Sequence, residues 1–256
     1  MTLSEALLEL QQLTERLRHD CPWDREQTAR TIVPHTVEEA YEVADAALAG
    51  DAPKLLGELG DLLFQVYFLA FLLEEQGEGS LEEVARTVHA KLVRRHPHVF
   101  GDVEAKTAGR VRENWERIKV EQEGREGVFH DVPEGLPALL QARKVQRRAA
   151  SAGFEYPDLD CALADLEDEL AELKRELAGG TDERRADELG DLLFACVNVA
   201  RRLDADPELA LRRATARFVA RVEEAERLAA AEGHAWTGLP LDEQDRYFDL
   251  AKETRQ

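Results

Sequence analysis

The chain has 256 residues, enough for one large domain or two modest ones, and is 44% hydrophobic and 34% charged. A formal net charge of −20 repels nucleic-acid backbones and excludes a role in coating a nucleic-acid polymer. A small phosphate ester remains a feasible ligand wherever divalent cations invert the local field.

In chain order, the first predicted element is an acidic amphipathic helix over 3–18. It carries no basic region followed by an apolar run, so no signal peptide is expected. Further helices are predicted over 36–49, 54–76, 81–95 and 109–122, and runs of β-branched residues with period two are nearly absent. Within 54–76, Leu59, Leu62, Leu63, Val66, Ala70 and Leu73 form one stripe, flanked by Phe64, Tyr67, Phe68, Leu69, Phe71 and Leu72. Such a helix is expected to be buried on most sides. Gly50-Asp51 with Pro53 ends the helix before it and starts this one. Gly124 to Gly135 is the expected linker between domains at 1–123 and 136–256. The second half is read as helices over 136–152, 160–178, 183–203, 206–231 and 241–254. No stretch approaches the roughly 18 apolar residues of a membrane span. Cys21, Cys161 and Cys196 are dispersed and form no CxxC pair, so neither a zinc site nor a disulfide framework is indicated. The expectation is a soluble cytoplasmic protein in a reducing compartment.

The heptapeptide Glu-Leu-Gly-Asp-Leu-Leu-Phe stands at 58–64 and again at 188–194, an offset of 130 residues. At the same offset Glu39 meets Glu169 and Glu42 meets Glu172. That register marks the chain as a tandem duplication.

Each half therefore carries Glu-x-x-Glu on one helix and Glu-x-x-Asp on the next. Residues three apart share a helix face, and a short turn makes neighbouring helices antiparallel. Glu39, Glu42, Glu58 and Asp61 can then converge, as can Glu169, Glu172, Glu188 and Asp191. The alternative is a solvated acidic face, and Thr36-x-x-Glu39 also fits a capping box. Glu58 and Asp61, however, interrupt an almost continuously apolar helix. Two unit charges about 5 Å apart at an effective dielectric near 20 repel by roughly 3 kcal/mol, so such a cluster calls for a cation or protons. All-oxygen donors select Mg²⁺ or Mn²⁺ before zinc. Di-iron bundles need Glu-x-x-His, and Glu42, Asp61, Glu172 and Asp191 stand where a histidine would be.

A polyphosphate also needs cations. Lys91 and Arg95 share one face of the 81–95 helix, and Arg217 and Arg221 recur in the second half at an offset of 126. The shortfall falls in the loop around Gly77 to Ser80, where a length change costs little. Surface solvation is the competing account of each pair, and recurrence favours a phosphate clamp. Neither GxxxxGK[ST] nor GxGxxG occurs. His96-Pro97-His98 reads as a helix end, and Trp23 and Trp115 as packing anchors rather than base-stacking groups. Asn198 can read a base edge, although Phe68 is its counterpart in the first repeat.

On these residues the chain resembles the MazG family of nucleoside triphosphate pyrophosphohydrolases over essentially its whole length. The resemblance rests on CPWDREQT at 21–28, Glu38, Glu39 and Glu42, ELGDLLF at 58–64, and KLVRRHPHVFGD at 91–102. It continues through NWERIK at 114–119, KVQRRAASAGF at 144–154, and the second EDELAE and ELGDLLF. It implies an all-α fold of MazG-like modules, with four-helix bundles completed by dimerisation. It also implies Mg²⁺-dependent cleavage of NTPs and dNTPs to NMP and pyrophosphate, with broad base tolerance, in nucleotide house-cleaning or alarmone control. The eight carboxylates would be the metal ligands and catalytic groups, and Lys91, Arg95, Arg217 and Arg221 the phosphate contacts. The second copy departs in carrying Asp168 where the first has Glu38, and Arg217 in place of lysine, which bears on water activation. A narrow hydrolase for dUTP, dCTP or an alarmone, and a nucleotide-binding module without turnover, are the rival readings.

Overall fold

The computed structural model describes residues 1–101, 107, 127–129 and 132–253. Every regular element among them is helical. The helix expected over 109–122, Trp115, the NWERIK motif and much of the expected linker lie outside the described residues. The chain divides into two compact units, Met1–Gly124 and Arg125–Gln256.

In the first unit, α1 (Leu3–Asp20) opens with a capping box in which Thr2 and Glu5 satisfy each other's backbone N–H groups. A short α2 (Pro22–Glu26) follows. Arg18 ties this segment down: its guanidinium donates to the carbonyls of Asp24 and Gln27 and pairs with Glu75 at 2.9 Å. The CPWDREQT stretch is thus a bracket pinned to the far end of the apolar helix.

The next helix, α3 (Ala29–Ala49), starts seven residues earlier than its periodicity suggests. Thr28 and Thr31 cap it reciprocally, and Pro34 lies inside it. The proline forfeits one bond to the Arg30 carbonyl, a cost the helix bears near its start. Thr36 is consequently mid-helix, with its hydroxyl on Ile32 O at 3.4 Å and Gln65 Oε1 at 3.3 Å. The capping-box account of Glu39 falls with it.

Gly50 terminates α3 at φ +70, a conformation that favours glycine. Asp51 immediately caps α4 (Ala52–Glu75), its carboxylate accepting from Lys54 N at 3.0 Å. So tight a connection folds α3 and α4 into an antiparallel hairpin. Ile32, Phe68 and Leu72 form its core, with Phe64 and Leu69 against them.

Burial of α4 differs from expectation. Gln65, Tyr67, Phe68, Ala70 and Leu72 are buried, whereas Leu59, Leu63, Val66 and Leu73 of the predicted stripe are exposed. The helix packs chiefly against α1 and α3, and two neighbours cover only part of a cylinder that is apolar almost all round. By length and composition alone α4 also passes as a membrane span, contrary to the sequence reading. Two carboxylates, Glu58 and Asp61, and the contacts with α1 and α3 set it apart from a lipid-facing helix. Two further elements complete the described part: α5 (Leu81–Arg95), capped by Ser80, and α6 (Pro97–Phe100).

The second unit repeats the hairpin. After α7 (Ala138–Ser151) come α8 (Leu159–Gly179), capped by Asp158, and α9 (Asp182–Arg202), capped by Thr181. These two make the most extensive helix pairing of the unit. The long α10 (Pro207–Ala231) then packs on α11 (Leu241–Glu253) after one 3₁₀ turn at Trp236–Gly238. Ala225, Ala229 and Ala251 let these helices approach around Tyr247, whose hydroxyl donates to Glu232 at 2.7 Å.

Candidate metal and catalytic site

Glu39 and Glu42 lie one turn apart near the middle of α3, and Glu58 and Asp61 sit in the first half of α4. Because the helices run antiparallel from Gly50, Glu42 meets Glu58 nearer the turn and Glu39 meets Asp61 one turn further out. Carboxylate oxygens of Glu39, Glu58 and Asp61 all lie within 4.8 Å of one another. Glu42 joins them through a hydrogen bond shared with Glu58. In the second unit, oxygens of Glu169, Glu172 and Glu188 fall within the same 4.8 Å, and Asp191 acts on Glu169 through its charge.

Crowding has the expected electrostatic consequence. Burial raises the Glu39 carboxyl above its ordinary range, and the charges of Asp61 and Glu42 raise it further. Glu58 is raised by desolvation first, then by its closeness to the Glu42 carboxyl. Glu169 is raised by desolvation and by Asp191 and Glu172. Each group thus bears a penalty for ionising that a bound cation would remove. Hard, all-oxygen donors at this spacing fit a divalent ion.

Nearby cations lie beyond what the sequence reading foresaw. Arg184 lies 3.7 Å from Glu188 and 3.1 Å from Glu176, and Arg175 lies 2.8 Å from Glu172. Lys54 lowers Glu58 from the position equivalent to Arg184, 130 residues earlier. The signal for both is a basic residue four places before each Glu-x-x-Asp.

The expected phosphate-facing residues are on the helices foreseen, Lys91 and Arg95 on α5 and Arg217 and Arg221 on α10. Among the described residues Lys91, Arg217 and Arg221 form no ion pair, so the structure does not join them to the carboxylates. Trp23 is half-exposed, its ring edge-on to His35 at 5.8 Å, rather than a packing anchor. Asn198 is buried.

A family model described as the MazG nucleotide pyrophosphohydrolase domain matches residues 27–100, which contain the entire first carboxylate set. Over 257 aligned residues and 98% of each chain, the sequence is 39% identical to the nucleoside triphosphate pyrophosphohydrolase of Escherichia coli strain K12. The chain belongs to the MazG family. The nucleoside triphosphate pyrophosphohydrolase/pyrophosphatase MazG of Thermotoga maritima is also 39% identical, over 95% of this chain and 94% of its own. A nucleoside triphosphate pyrophosphohydrolase of Mycobacterium tuberculosis is 36% identical over 59% of this chain and 46% of its own. As a MazG protein the chain is an enzyme, a nucleotide pyrophosphohydrolase. Membership of this family of hydrolases implies a divalent cation, which the clustered MazG carboxylates fit.

Beside the second MazG carboxylate set, Glu155 and Arg201 clamp the loop between α7 and α8, with Nη1 on Oε2 at 2.6 Å. Hydrogen bonding from Arg201 and the charges of Arg201 and Arg202 hold Glu155 below its ordinary pKa. A depressed carboxyl stabilises the fold above its unfolded pKa and loses that contribution as pH falls through the folded one. Glu155→Gln is therefore expected to lower the thermal midpoint at pH 7 by about 2–4 °C. The gap to the unaltered protein closes as melts are repeated below about pH 4.5. A gap independent of pH would refute the assignment.

Proposed function

We propose that the chain hydrolyses nucleoside triphosphates, both NTPs and dNTPs, to NMP and pyrophosphate in a Mg²⁺-dependent reaction with broad base tolerance. The observation that carries this reading is the convergence of three carboxylates within 4.8 Å in each of two hairpins. Glu39, Glu42, Glu58 and Asp61 hold the ions in one module, and Glu169, Glu172, Glu188 and Asp191 in the other. Mg²⁺ held there, or Mn²⁺ in its place, would supply charge neutralisation for phosphate oxygens and a more acidic water.

The chain's own groups do the rest. One glutamate of the set accepts the proton of the attacking water. As the new P–O bond forms in line, the anhydride bond breaks and its electron pair leaves with pyrophosphate. Lys91 and Arg95, with Arg217 and Arg221, stabilise charge on that leaving group. Lys54 and Arg184, already beside the glutamates, exchange carboxylate for phosphate partners when substrate arrives.

The working form is a homodimer whose bundles are completed between subunits, for which the exposed apolar faces of α4 and α9 provide the driving force. The two modules, joined through 124–135, act in the cytoplasm to clear non-standard nucleotides. Incubating the protein with each NTP and dNTP, with and without Mg²⁺, is expected to give NMP and pyrophosphate from most of the panel only when the metal is present. Release of orthophosphate, or turnover in EDTA, would overturn the proposal. Turnover of a single nucleotide would favour the narrow hydrolase instead.

A further inference from the structure

The helix that carries Arg217 and Arg221 is held unevenly. The last third of α10 is covered by α11, with Ala225 and Ala229 fully buried between them. Because α11 packs chiefly on α10, that anchor travels with the helix and ties it to nothing else. The first turn is covered too, with Pro207 buried. Between these ends Leu211, Phe218 and Val219 are exposed, and α10 meets α9 over only a few residues. The direction of α10 relative to the carboxylate hairpin is therefore set near its start.

A side-chain pair ties that first turn down. Asp206 caps α10, its Oδ1 accepting from Leu209 N at 3.1 Å. Its other oxygen, Oδ2, accepts from Nη1 of Arg143 on α7. The Arg143 and Asp206 side chains are 25% and 23% exposed. Arg143 Nε is buried with no hydrogen-bond partner among the described residues, so neutralising this charge falls to Asp206. One turn beyond Arg143, Gln146 fixes α7 to the carboxylate helix α9. Its Nε2 donates to the Phe194 carbonyl at 2.8 Å, while its Oε1 is buried without a partner among the described residues. A line of contacts thus runs from α9 through α7 to the start of α10.

Leverage makes this tie matter. Arg217 and Arg221 follow Asp206 by 11 and 15 residues, which is about 16 and 22 Å along a helix. A swing of about 10° at the start would carry them by roughly 3–4 Å, beyond hydrogen-bond tolerance. Misplacement by about 1 Å is already costly to catalysis. The first repeat lacks the device. At the 130-residue offset Leu13 stands in place of Arg143, and α5 is capped by Ser80, which has no charge to pair.

We propose that Arg143 and Asp206 are positioning residues that set the direction of α10, and through it the reach of Arg217 and Arg221 toward phosphates at the second carboxylate set. The inference rests on the phosphate-binding role proposed above for those two arginines. Asp206→Asn is the informative change. It keeps the capping oxygen and replaces the paired one by an amide NH₂ that repels Arg143. The helix start stays, and its tie is cut.

The test uses the full chain carrying Glu58→Gln, which confines turnover to the second module, with pyrophosphate release from ATP as the readout. Asp206→Asn and Arg143→Leu are each expected to lower kcat/KM by about tenfold or more with unchanged circular dichroism. Arg143→Lys, which keeps the charge of this single-pronged pair, should stay within about threefold of the parent. In a chain already carrying Arg217→Ala and Arg221→Ala, Asp206→Asn should cost less than about twofold, because the groups it positions are gone. An equal cost with and without those arginines would reduce the pair to a structural tie and overturn the proposal. Undiminished kcat/KM in Asp206→Asn would do the same. So would absence of turnover in the Glu58→Gln chain, which leaves the second module no reaction to position. Should Asp206→Asn fail to fold, Arg143→Leu and Arg143→Lys decide. Undiminished turnover with both arginines replaced would strike the phosphate-binding role itself, and the proposal with it.

Discussion

A Glu58→Gln, Glu188→Gln double variant is expected to lose pyrophosphate release by about three powers of ten or more in kcat/KM. Both residues are half-buried on α4 and α9, and each lies within 4.8 Å of two other carboxylates. Replacing one oxygen by an amide NH₂ removes an anionic donor from the set meant to hold a dication and puts a repelling N–H in its place. The substitution is close to isosteric and relieves like-charge crowding, so folding should be preserved or slightly improved. Each single variant separates the modules. If one hairpin dominates, its variant reproduces most of the double loss and the other is nearly silent. Near-normal turnover by the folded double variant would remove the carboxylate sets from the mechanism.

The second large effect concerns assembly. Val66 and Leu73 lie seven residues apart on one exposed face of α4. Burying a Val or Leu side chain contributes about 1.5–3 kcal/mol, and two-fold symmetry counts each position twice. The unaltered protein is expected at twice the 28.8 kDa of one chain in light scattering. Val66→Arg with Leu73→Arg should weaken association by at least about three powers of ten and yield single chains at micromolar concentration. Both residues are clear of the carboxylates, so any loss of turnover in the dissociated variant measures how far the site depends on the partner. An unaltered protein that is already monomeric at high concentration would end the dimer proposal. Those faces would then need another cover.

The carboxylate sets are legible in the sequence to a degree that the exposed face of α4 is not. Three-residue spacing of carboxylates on consecutive helices, repeated at a constant offset, settles which side chains share a face. The tight Gly50-Asp51 turn then makes the two helices neighbours, and three of each four, Glu39, Glu58 and Asp61 and Glu169, Glu172 and Glu188, come within 4.8 Å, without Glu42 and Asp191. The helical class, and helix limits within two or three residues for most elements, follow equally from periodicity and caps. Sequence and structure disagree where a local rule meets a non-local contact. Thr36 resembles an N-cap through its spacing to Glu39, whereas Thr28 and Thr31 cap the helix and carry it through Pro34.

Periodicity determined that α4 is apolar nearly all round; only packing decided that Leu59, Leu63, Val66 and Leu73 stay uncovered within one chain. Gln146 carries no signal of its own inside a basic helical stretch, and its oxygen is orphaned only because α7 lies against α9. The physical reason is the same in both cases. Spacing along a helix fixes the direction in which a side chain points, because the backbone repeat is a local property. What it then meets, whether core, cavity or nothing, depends on residues far away in the chain.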